Sequence, residues 1–379
     1  MTVYFDNAAT TKVCPEAAEA AAFAMTECYG NPSSGHAAGR AAKALLDTAR
    51  KNVASAMGAM PEEIYFTSGG TEADNWAISG GAFALRHRGR HIITGAAEHD
   101  AVRGPMKKLA EDGFDVTFLK PGKDGRIDPE EFAASLREDT IFASLMLVNN
   151  ETGAINPVEE LSRILKKRCP RAWMHVDGVQ AFCKIPFSVK TLGADMVSVS
   201  SHKIHGPKGA GALYVKKGLN LKALLRGGGQ ERGMRPGTEA MPNISGFGAA
   251  AALGKKLLPE TQQHLRALRN DLKQRIEAAV PEAVFIGAGD APHILSISLP
   301  GYKSEVVMNC LDAEGICVSK SSACKKGARS HVLEAMGLEN PVIDGAIRIR
   351  FSRYNTLKET AFFADKLQEA AARLRTVPR

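Results

Sequence analysis

Short apolar runs alternate with amphipathic stretches along the first two thirds of the chain. The apolar runs have the length of buried strands and read EIYFTS, HIITG, DVTFLK, TIFASLMLV, AWMHVD and DMVSVS. Helix-like periodicity covers residues 15–28, 37–57 and 71–87. Nearly all-apolar strands that alternate with helices are typical of a mostly parallel sheet covered on both faces, so the sequence predicts an α/β fold.

The last third of the chain has a different pattern. From about Asn243 to Val280 the sequence is compatible with one continuous helix, interrupted only by Pro259. After it come the strand-like segments HILSISLP, ICVS and AIRIRFS, with helix-like segments between them and a terminal helix from about Leu357. This order predicts a smaller α+β domain joined to the first through a long, kinked helix.

Chain length also favours two domains. A single core stops growing near about 250–300 residues, and this chain has 379 residues, 44% of them hydrophobic. We expect an N-terminal segment at 1–14 that packs with the small domain, a large α/β domain at 15–258 and a small α+β domain at 259–379.

Composition removes several classes of protein. No apolar run reaches the ~18–20 residues that span a bilayer, and the N-terminus, MTVYFDNAATT, lacks the features of a signal peptide, so we expect a cytoplasmic protein without membrane contact. Seven cysteines without a CxxC pair argue against a disulfide framework and against a zinc site. The net charge of +8 is scattered among 41 acidic residues, so direct nucleic-acid binding is not expected, although a basic scaffold stays an alternative.

Polar side chains collect where the predicted strands end. In a parallel sheet those ends share one edge, so such side chains converge on one crevice. The polar groups at these ends are Ser68 to Thr71, His99, Asn149 to Glu151, Asp177, and Ser200 to Lys203.

Three of these groups together suggest a pyridoxal phosphate site. SGGTEADN places glycines and Thr71 at a helix start, which suits a phosphate, although Thr71 as a plain N-cap is the simpler interpretation. Asp177 ends a buried strand and needs a compensating partner, either a local salt bridge or Asx-turn or the ring nitrogen of a cofactor. Lys203, between a buried strand and a glycine-rich loop, is a candidate Schiff-base lysine, whereas Lys208 reads as a solvated loop charge. The three together are what pyridoxal phosphate requires.

Two further sites lie near the C-terminus. Cys324 stands among small polar residues and is followed by basic ones, which lowers a thiol pKa and favours the nucleophilic thiolate. Arg348 and Arg350 alternate with isoleucines, so both point to one side of a strand. One of them could bind a substrate carboxylate bidentately, and a surface ion pair is the alternative.

The motifs together resemble those of cysteine desulfurases of the NifS/IscS-like type, within the class V aminotransferase group of fold-type I pyridoxal-phosphate enzymes. They appear in order over essentially the whole chain: YFDNAATT, GNPSS, FTSGGTEADN, EHDAV, VNNETGAI, HVDGVQ, SSHKIHGPKGAGALYV, GGGQERGMRPGT, SSAC and IRFS. The resemblance implies a homodimer that converts L-cysteine into L-alanine and keeps the sulfur as a persulfide on an enzyme cysteine.

The resemblance also implies a role for each matching residue. Lys203 would anchor the cofactor, Asp177 would face its ring nitrogen, and His99 would stack on the ring and assist proton transfer. Cys324 would form the persulfide and Arg350 would clamp the substrate carboxylate. The remaining positions would contact the ring oxygen (Asn150, Gln180), the phosphate (Gly70, Thr71, Ser200, His202) and, from the neighbouring subunit, the phosphate again (Thr238); Asn150 would also face the substrate.

The resemblance leaves the sulfur acceptor open. Delivery to iron-sulfur clusters, thiolated tRNA or a thio-cofactor through an acceptor protein is expected of this group. A selenocysteine lyase or another class V aminotransferase is the alternative on the same scaffold. No metal ligands are expected.

Overall fold

The computed structural model describes residues 2–320 and 329–375. Its strands are β1 (Val3–Tyr4), β2 (Ile64–Thr67), β3 (His91–Gly95), β4 (Asp115–Leu119), β5 (Thr140–Met146), β6 (Trp173–Asp177), β7 (Met196–Ser200), β8 (Gly211–Val215), β9 (Val284–Phe285), β10 (Ile294–Ser298), β11 (Ile316–Cys317), β12 (Ser319–Lys320) and β13 (Ala346–Arg350). Its helices are α1 (Pro15–Thr26), α2 (Ala37–Met57), α3 (Gly70–Leu85), α4 (Asp100–Glu111), α5 (Pro129–Ser135), α6 (Val158–Arg168), α7 (Met241–Lys256), α8 (Leu258–Ala279), α9 (Ser304–Ala313), α10 (His331–Ala335), α11 (Asn340–Asp344) and α12 (Leu357–Arg375). None of these helices is long and apolar enough to cross a membrane.

Seven strands form the central sheet, in the order β2-β8-β7-β6-β5-β3-β4. Strands β7, β6, β5, β3 and β4 run parallel, whereas β8 is antiparallel to both β7 and β2. The predicted α/β fold with a mostly parallel sheet is confirmed. The apolar pattern did not predict β8, whose short sequence GALYV follows directly on a glycine- and proline-rich loop.

Helices cover both faces of the central sheet because successive strand residues point to opposite sides. Ile92 of β3 lies in one apolar core with Trp76 of α3 and Met106 of α4. The next residue, Ile93, lies in a second core with side chains of α2, α6 and α7, among them Phe247. Burial on both faces holds the strands rigidly, and their carboxyl ends are therefore well-fixed positions for polar side chains.

The segment from Asn243 to Val280 forms two helices, and the prediction of one kinked helix is wrong. Helix α7 ends at Lys256 and α8 begins at Leu258. Pro259 stands in the first turn of α8, where a helix needs no backbone N–H from it. The proline therefore starts a new helix instead of bending an existing one.

The C-terminal third contains a four-stranded antiparallel sheet in the order β12-β13-β10-β9. Its apolar core includes Leu268 of α8, Leu311 of α9 and Phe363 of α12, together with Val3 and Phe5 from the start of the chain. Strand β1 also pairs with β11. The N-terminal residues thus pack with the C-terminal region, while the division into domains at residue 258 stays a prediction.

The N-terminal segment also joins the two sheets. The backbone N–H of Arg350 in β13 donates to the carbonyl of Phe5 over 2.7 Å. Six residues later, the N–H of Thr11 donates to the carbonyl of His202, just after β7, over 3.0 Å. The residues between them cross the gap where the carboxyl ends of β6 and β7 face β13.

Candidate active site

A cavity of about 570 Å³ opens where the two sheets face each other, and residues from both sheets line it. Ten of the residues singled out from the sequence lie in its wall: Gly70, Thr71, His99, Asn150, Asp177, Gln180, Ser200, His202, Lys203 and Arg350. The strand ends therefore do bring these side chains together, as the parallel topology predicts. Their individual roles remain predictions.

Thr238 is exposed and lies outside the cavity of its own chain. Its contact across a dimer interface stays a prediction. Cys324 lies outside the described residues, but the described residues on either side of it do reach the cavity: Ser319 accepts a hydrogen bond from the cavity residue Arg348, and Arg329 lines the wall itself.

Lys203 and Lys208 differ sharply in their surroundings. Nζ of Lys203 donates to the carbonyl oxygens of Ala8 and Ala9 over 2.5 and 2.8 Å. Burial, together with the charges of two cavity arginines, lowers the pKa of Lys203 to about 7. Lys208 is exposed and contacts only the carbonyl of Thr11, at 3.3 Å. Lys203 thus has the environment of a reactive amine, and Lys208 that of a loop charge.

Asp177 ends β6 inside the cavity wall and is 6% exposed. Its Oδ1 accepts a hydrogen bond from the backbone N–H of Val179 over 2.9 Å, which is the Asx-turn that the sequence left as an alternative. Burial raises the pKa of Asp177, while this hydrogen bond and the charges of His99 and Lys203 act in the opposite direction. The turn and a cavity-facing carboxyl coexist, because the turn occupies only one of the two oxygens.

The start of α3 forms an anion cradle beside Ser200. The helix begins at Gly70, after the N-cap residue Gly69, so Thr71 lies in the first turn and its interpretation as the N-cap is wrong. The first N–H groups of a helix have no acceptor within it. The hydroxyl of Ser200 is buried without a hydrogen-bond partner among the described residues. A Cβ on Gly70 would lie 2.7 Å from Val179, so only glycine leaves this space open.

Two histidines, His99 and His202, line the cavity. Nδ1 of His99 accepts a hydrogen bond from the backbone N–H of Ala101 over 3.1 Å, so a neutral ring carries its proton on Nε2. His202 contacts the hydroxyl of Thr10 at 3.2 Å, and burial and the charge of Lys203 lower its pKa to about 4. His202 is therefore neutral near pH 7.

Gln180 links the cavity to the N-terminal segment. Its Nε2 donates to the carbonyl of Ala8 over 3.2 Å, the same oxygen that Lys203 contacts. Its Oε1 accepts from Nζ of the buried Lys184 over 3.3 Å. Asn150 lines the cavity from the turn after β5. Of the two amides, Gln180 shares a backbone acceptor with the reactive lysine.

Arg348 and Arg350 both face the cavity from β13, as their alternation predicts. They are 3% and 1% exposed, so the alternative of a surface ion pair is wrong. Nε of Arg348 donates to Ser319 over 3.1 Å, and Nη2 lies 3.8 Å from the carboxylate of Asp6. Nε and Nη2 of Arg350 have no hydrogen-bond partner among the described residues. A buried guanidinium whose donors lack partners among the described residues is suited to bind an anionic ligand.

Two cavity residues received no role from the sequence. Glu151 is 4% exposed and accepts a hydrogen bond from the hydroxyl of Ser330 over 2.5 Å, and burial raises its pKa to about 7. Asp74 is 1% exposed and faces the cavity from α3. Its position four residues after Gly70, on the same helix face, was the available signal.

Comparison with known proteins finds similarity over nearly the whole chain. The family model described as aminotransferase class-V matches residues 3–363. A cysteine desulfurase IscS from Methanosarcina thermophila is 40% identical over 379 residues, which cover 99% of this chain and 93% of that protein. A solved NifS-like protein has a TM-score of 0.93 at 40% identity, covering 98% of this chain and 100% of that one. SspA in complex with cysteine has a TM-score of 0.80 at 32% identity, covering 94% and 100%.

Proposed function

Because the chain belongs to the class V aminotransferase family, we propose that it is a pyridoxal-phosphate-dependent cysteine desulfurase. It converts L-cysteine into L-alanine and transfers the sulfur to Cys324. The observation that carries the proposal is the combination in one cavity of the low-pKa Lys203, the carboxyl of Asp177, an anion cradle at α3 and the unpaired donors of Arg350. The similarity to cysteine desulfurases and to a protein solved with cysteine supports the substrate.

The residues present fit pyridoxal phosphate. The unpartnered hydroxyl of Ser200 and the start of α3 at Gly70 would hold the phosphate, with the neutral His202 as a further donor. Asp177 would face the ring nitrogen and Lys203 would bind the aldehyde carbon. When bound, the cofactor withdraws electrons from the bond to the substrate Cα.

The protein's own groups perform the remaining tasks. Arg350 binds the substrate carboxylate with its free Nε and Nη2 donors. Nζ of Lys203 can hold or release a proton near neutral pH, because its pKa is about 7. It is therefore suited to move the proton on the substrate Cα. His99 offers a second proton-carrying group at Nε2.

Sulfur transfer conserves atoms and charge. The Cys324 thiolate attacks the substrate sulfur, an S–S bond forms and the substrate C–S bond breaks. The carbon takes up one proton, which balances the proton that the thiol released. The products are L-alanine and a persulfide on Cys324. We further propose a homodimer in which Thr238 reaches the neighbouring site, and an acceptor protein that removes the sulfur in the cytoplasm.

The decisive experiment adds L-cysteine to the cofactor-loaded protein, measures alanine and sulfide, and locates the persulfide by mass spectrometry. Cys324→Ser should keep the absorption band of the bound cofactor and lose persulfide and alanine formation. Cys310→Ser, the same change at a partly exposed cysteine that has no role in the proposal, should behave as wild type. Wild-type alanine formation by Cys324→Ser would show that the sulfur does not pass through this residue.

A further inference from the structure

A second carboxyl group lies beside Asp177 and has no role in the proposed reaction. Asp74 is in the second turn of α3, is 1% exposed and lines the cavity together with Asp177. Its Oδ1 has no hydrogen-bond partner among the described residues. A buried carboxylate without compensation is costly, so the protonation state of Asp74 requires an explanation.

No cation of the described chain neutralises Asp74. Among the residues that the structure describes, the one basic group within 4 Å is Nε2 of His175, at 3.5 Å from Oδ1. His175 is fully buried, and its burial lowers its pKa to about 3, so the ring is neutral at physiological pH. Asp177, in contrast, is within reach of the charges of His99 and Lys203. The two neighbouring carboxyls therefore differ in their counter-charges.

The surroundings of the two carboxyls favour a proton on Asp74 over one on Asp177. Burial and the charge of Asp177 raise the pKa of Asp74 well above its usual range, and a hydrogen bond from Ser198 opposes them only in part. Glu98 is also fully buried, and burial together with the charge of Asp177 raises its pKa well above its usual range, so it is a second buried acid of this region. Two buried carboxylates at close range cannot both ionise without a cation for each.

A hydrogen-bonded row across the sheet supports a neutral Asp74. The hydroxyl of Ser144 lies 2.8 Å from Nδ1 of His175, and Nε2 of His175 lies 2.9 Å from the hydroxyl of Ser198, which contacts Asp74. A neutral histidine and two hydroxyls can reverse the direction of such a row. A protonated Asp74 can thus donate to Ser198, while its Oδ1 has no partner among the described residues.

We propose that Asp74 is a positioning residue that remains uncharged and confines the negative charge of the carboxyl pair to Asp177, where the cofactor's ring nitrogen would meet it. The inference deepens the proposed function and rests on it. The proton on Asp74 keeps the pair singly charged, and the row through Ser198 and His175 holds the carboxyl in place.

The protonation of Asp74 can be tested without cofactor. Infrared spectra of the cofactor-free protein at neutral pH should show the carbonyl band of a buried carboxylic acid, and Asp74→Asn should remove one component of it. Glu98→Gln is the matched control and should remove a different component, because Glu98 is also a buried acid. An unchanged acid band in Asp74→Asn means that Asp74 is ionised and overturns the proposal.

The positioning role is tested by cofactor affinity and by the pH titration of the absorption band. Asp74→Asn, which is isosteric and neutral, should match wild type within about threefold, whereas Asp74→Ala should bind about tenfold more weakly because Ser198 loses its partner. A tenfold loss in Asp74→Asn, or none in Asp74→Ala, overturns the proposal. A wild-type protein that takes up no cofactor would instead refute the proposed function, while the infrared result would stand.

Discussion

The two sheets that meet at the cavity supply its charged side chains in two different geometric ways. The seven-stranded sheet supplies Asp177 at the end of β6 and Lys203 just beyond β7. The four-stranded sheet supplies Arg348 and Arg350 from within β13, two residues apart on one face. In the first, topology brings residues together that are distant in sequence, and in the second, strand alternation aligns neighbours.

The two halves of the cavity also differ in how far their charges are compensated. The lysine half holds Asp177 and Lys203, and the arginine half holds Arg348 and Arg350. Asp177 and Lys203 compensate each other in part, and Lys203 is already hydrogen-bonded to two carbonyls. Arg350 keeps two donors without partners among the described residues. The charged groups of the lysine half therefore have partners before any ligand enters, apart from the phosphate cradle. The donors of Arg350 would gain partners from a bound anion, so we expect the arginine half to discriminate between substrates.

The largest expected effect comes from removing the anchor of the lysine half. Lys203→Ala should lower alanine formation by at least about 10³-fold, since both the covalent attachment and a proton carrier are lost. The cofactor absorption band should disappear in the same variant. Lys208→Ala is the matched control and should retain activity within about twofold. A coloured, active Lys203→Ala protein would move the anchor to another residue.

The next largest effect should come from Glu151, which lines the same cavity, and should be a change in the pH dependence of the free energy of unfolding. Its folded pKa of about 7 exceeds the usual value of 4.5, so the folded state binds the proton more tightly and stability falls as pH rises from about 4.5 to 7. The loss should be about 3 kcal/mol. Glu151→Gln should abolish this loss while still accepting the hydrogen bond from Ser330.

Urea unfolding at a series of pH values measures the effect. Glu131→Gln, a change at an exposed glutamate, should leave the wild-type pH dependence in place. If Glu151→Gln shows the same fall in stability between pH 4.5 and 7 as wild type, Glu151 is ionised in the folded protein throughout that range.

The arginine half should act on substrate binding rather than on the cofactor. Arg350→Gln should raise KM for L-cysteine about tenfold to a hundredfold, because a hydrogen bond to a charged group contributes about 1.5–3 kcal/mol. Arg348→Gln should change KM less, because Arg348 is already engaged by Ser319 and lies near Asp6. At a pH above the titration of Lys203, cofactor affinity should be unchanged in both. A larger KM effect in Arg348→Gln would assign the carboxylate clamp to Arg348.

The lysine half was more predictable from the sequence than the arginine half. Parallel strands leave clear apolar runs, and the residues that follow them, such as Asp177 and Lys203, must meet at one edge. The face shared by Arg348 and Arg350 was equally readable, but their burial was not, because it depends on how the second sheet packs against the first. Strand β8 was missed because its short apolar sequence follows directly on a glycine- and proline-rich loop, and the break at Leu257 was missed because a proline at position 259 fits both a kink within one helix and the first turn of a second.

Asp74 and Glu151 show a second limit of the sequence. Each is an ordinary acidic residue in its local context, in the second turn of a helix and in a turn after a strand. Their raised pKa values arise from burial and from charges distant in the chain, such as that of Asp177 near Asp74. A pattern of neighbouring residues contains no information about these distances.

The smallest predicted effect is on the rate of cofactor uptake, which depends on both halves of the cavity. Only an unprotonated amine attacks an aldehyde, so the rate of pyridoxal phosphate uptake should follow the titration of Lys203. With a pKa of about 7, the rate should rise about tenfold from pH 6 to pH 8 and then level off. Stopped-flow absorbance measures it. Arg350→Gln removes a charge that lowers this pKa, so its plateau should begin at higher pH. A wild-type rate that keeps rising above pH 8 would mean that Lys203 titrates like an ordinary lysine and that the arginine half does not tune it.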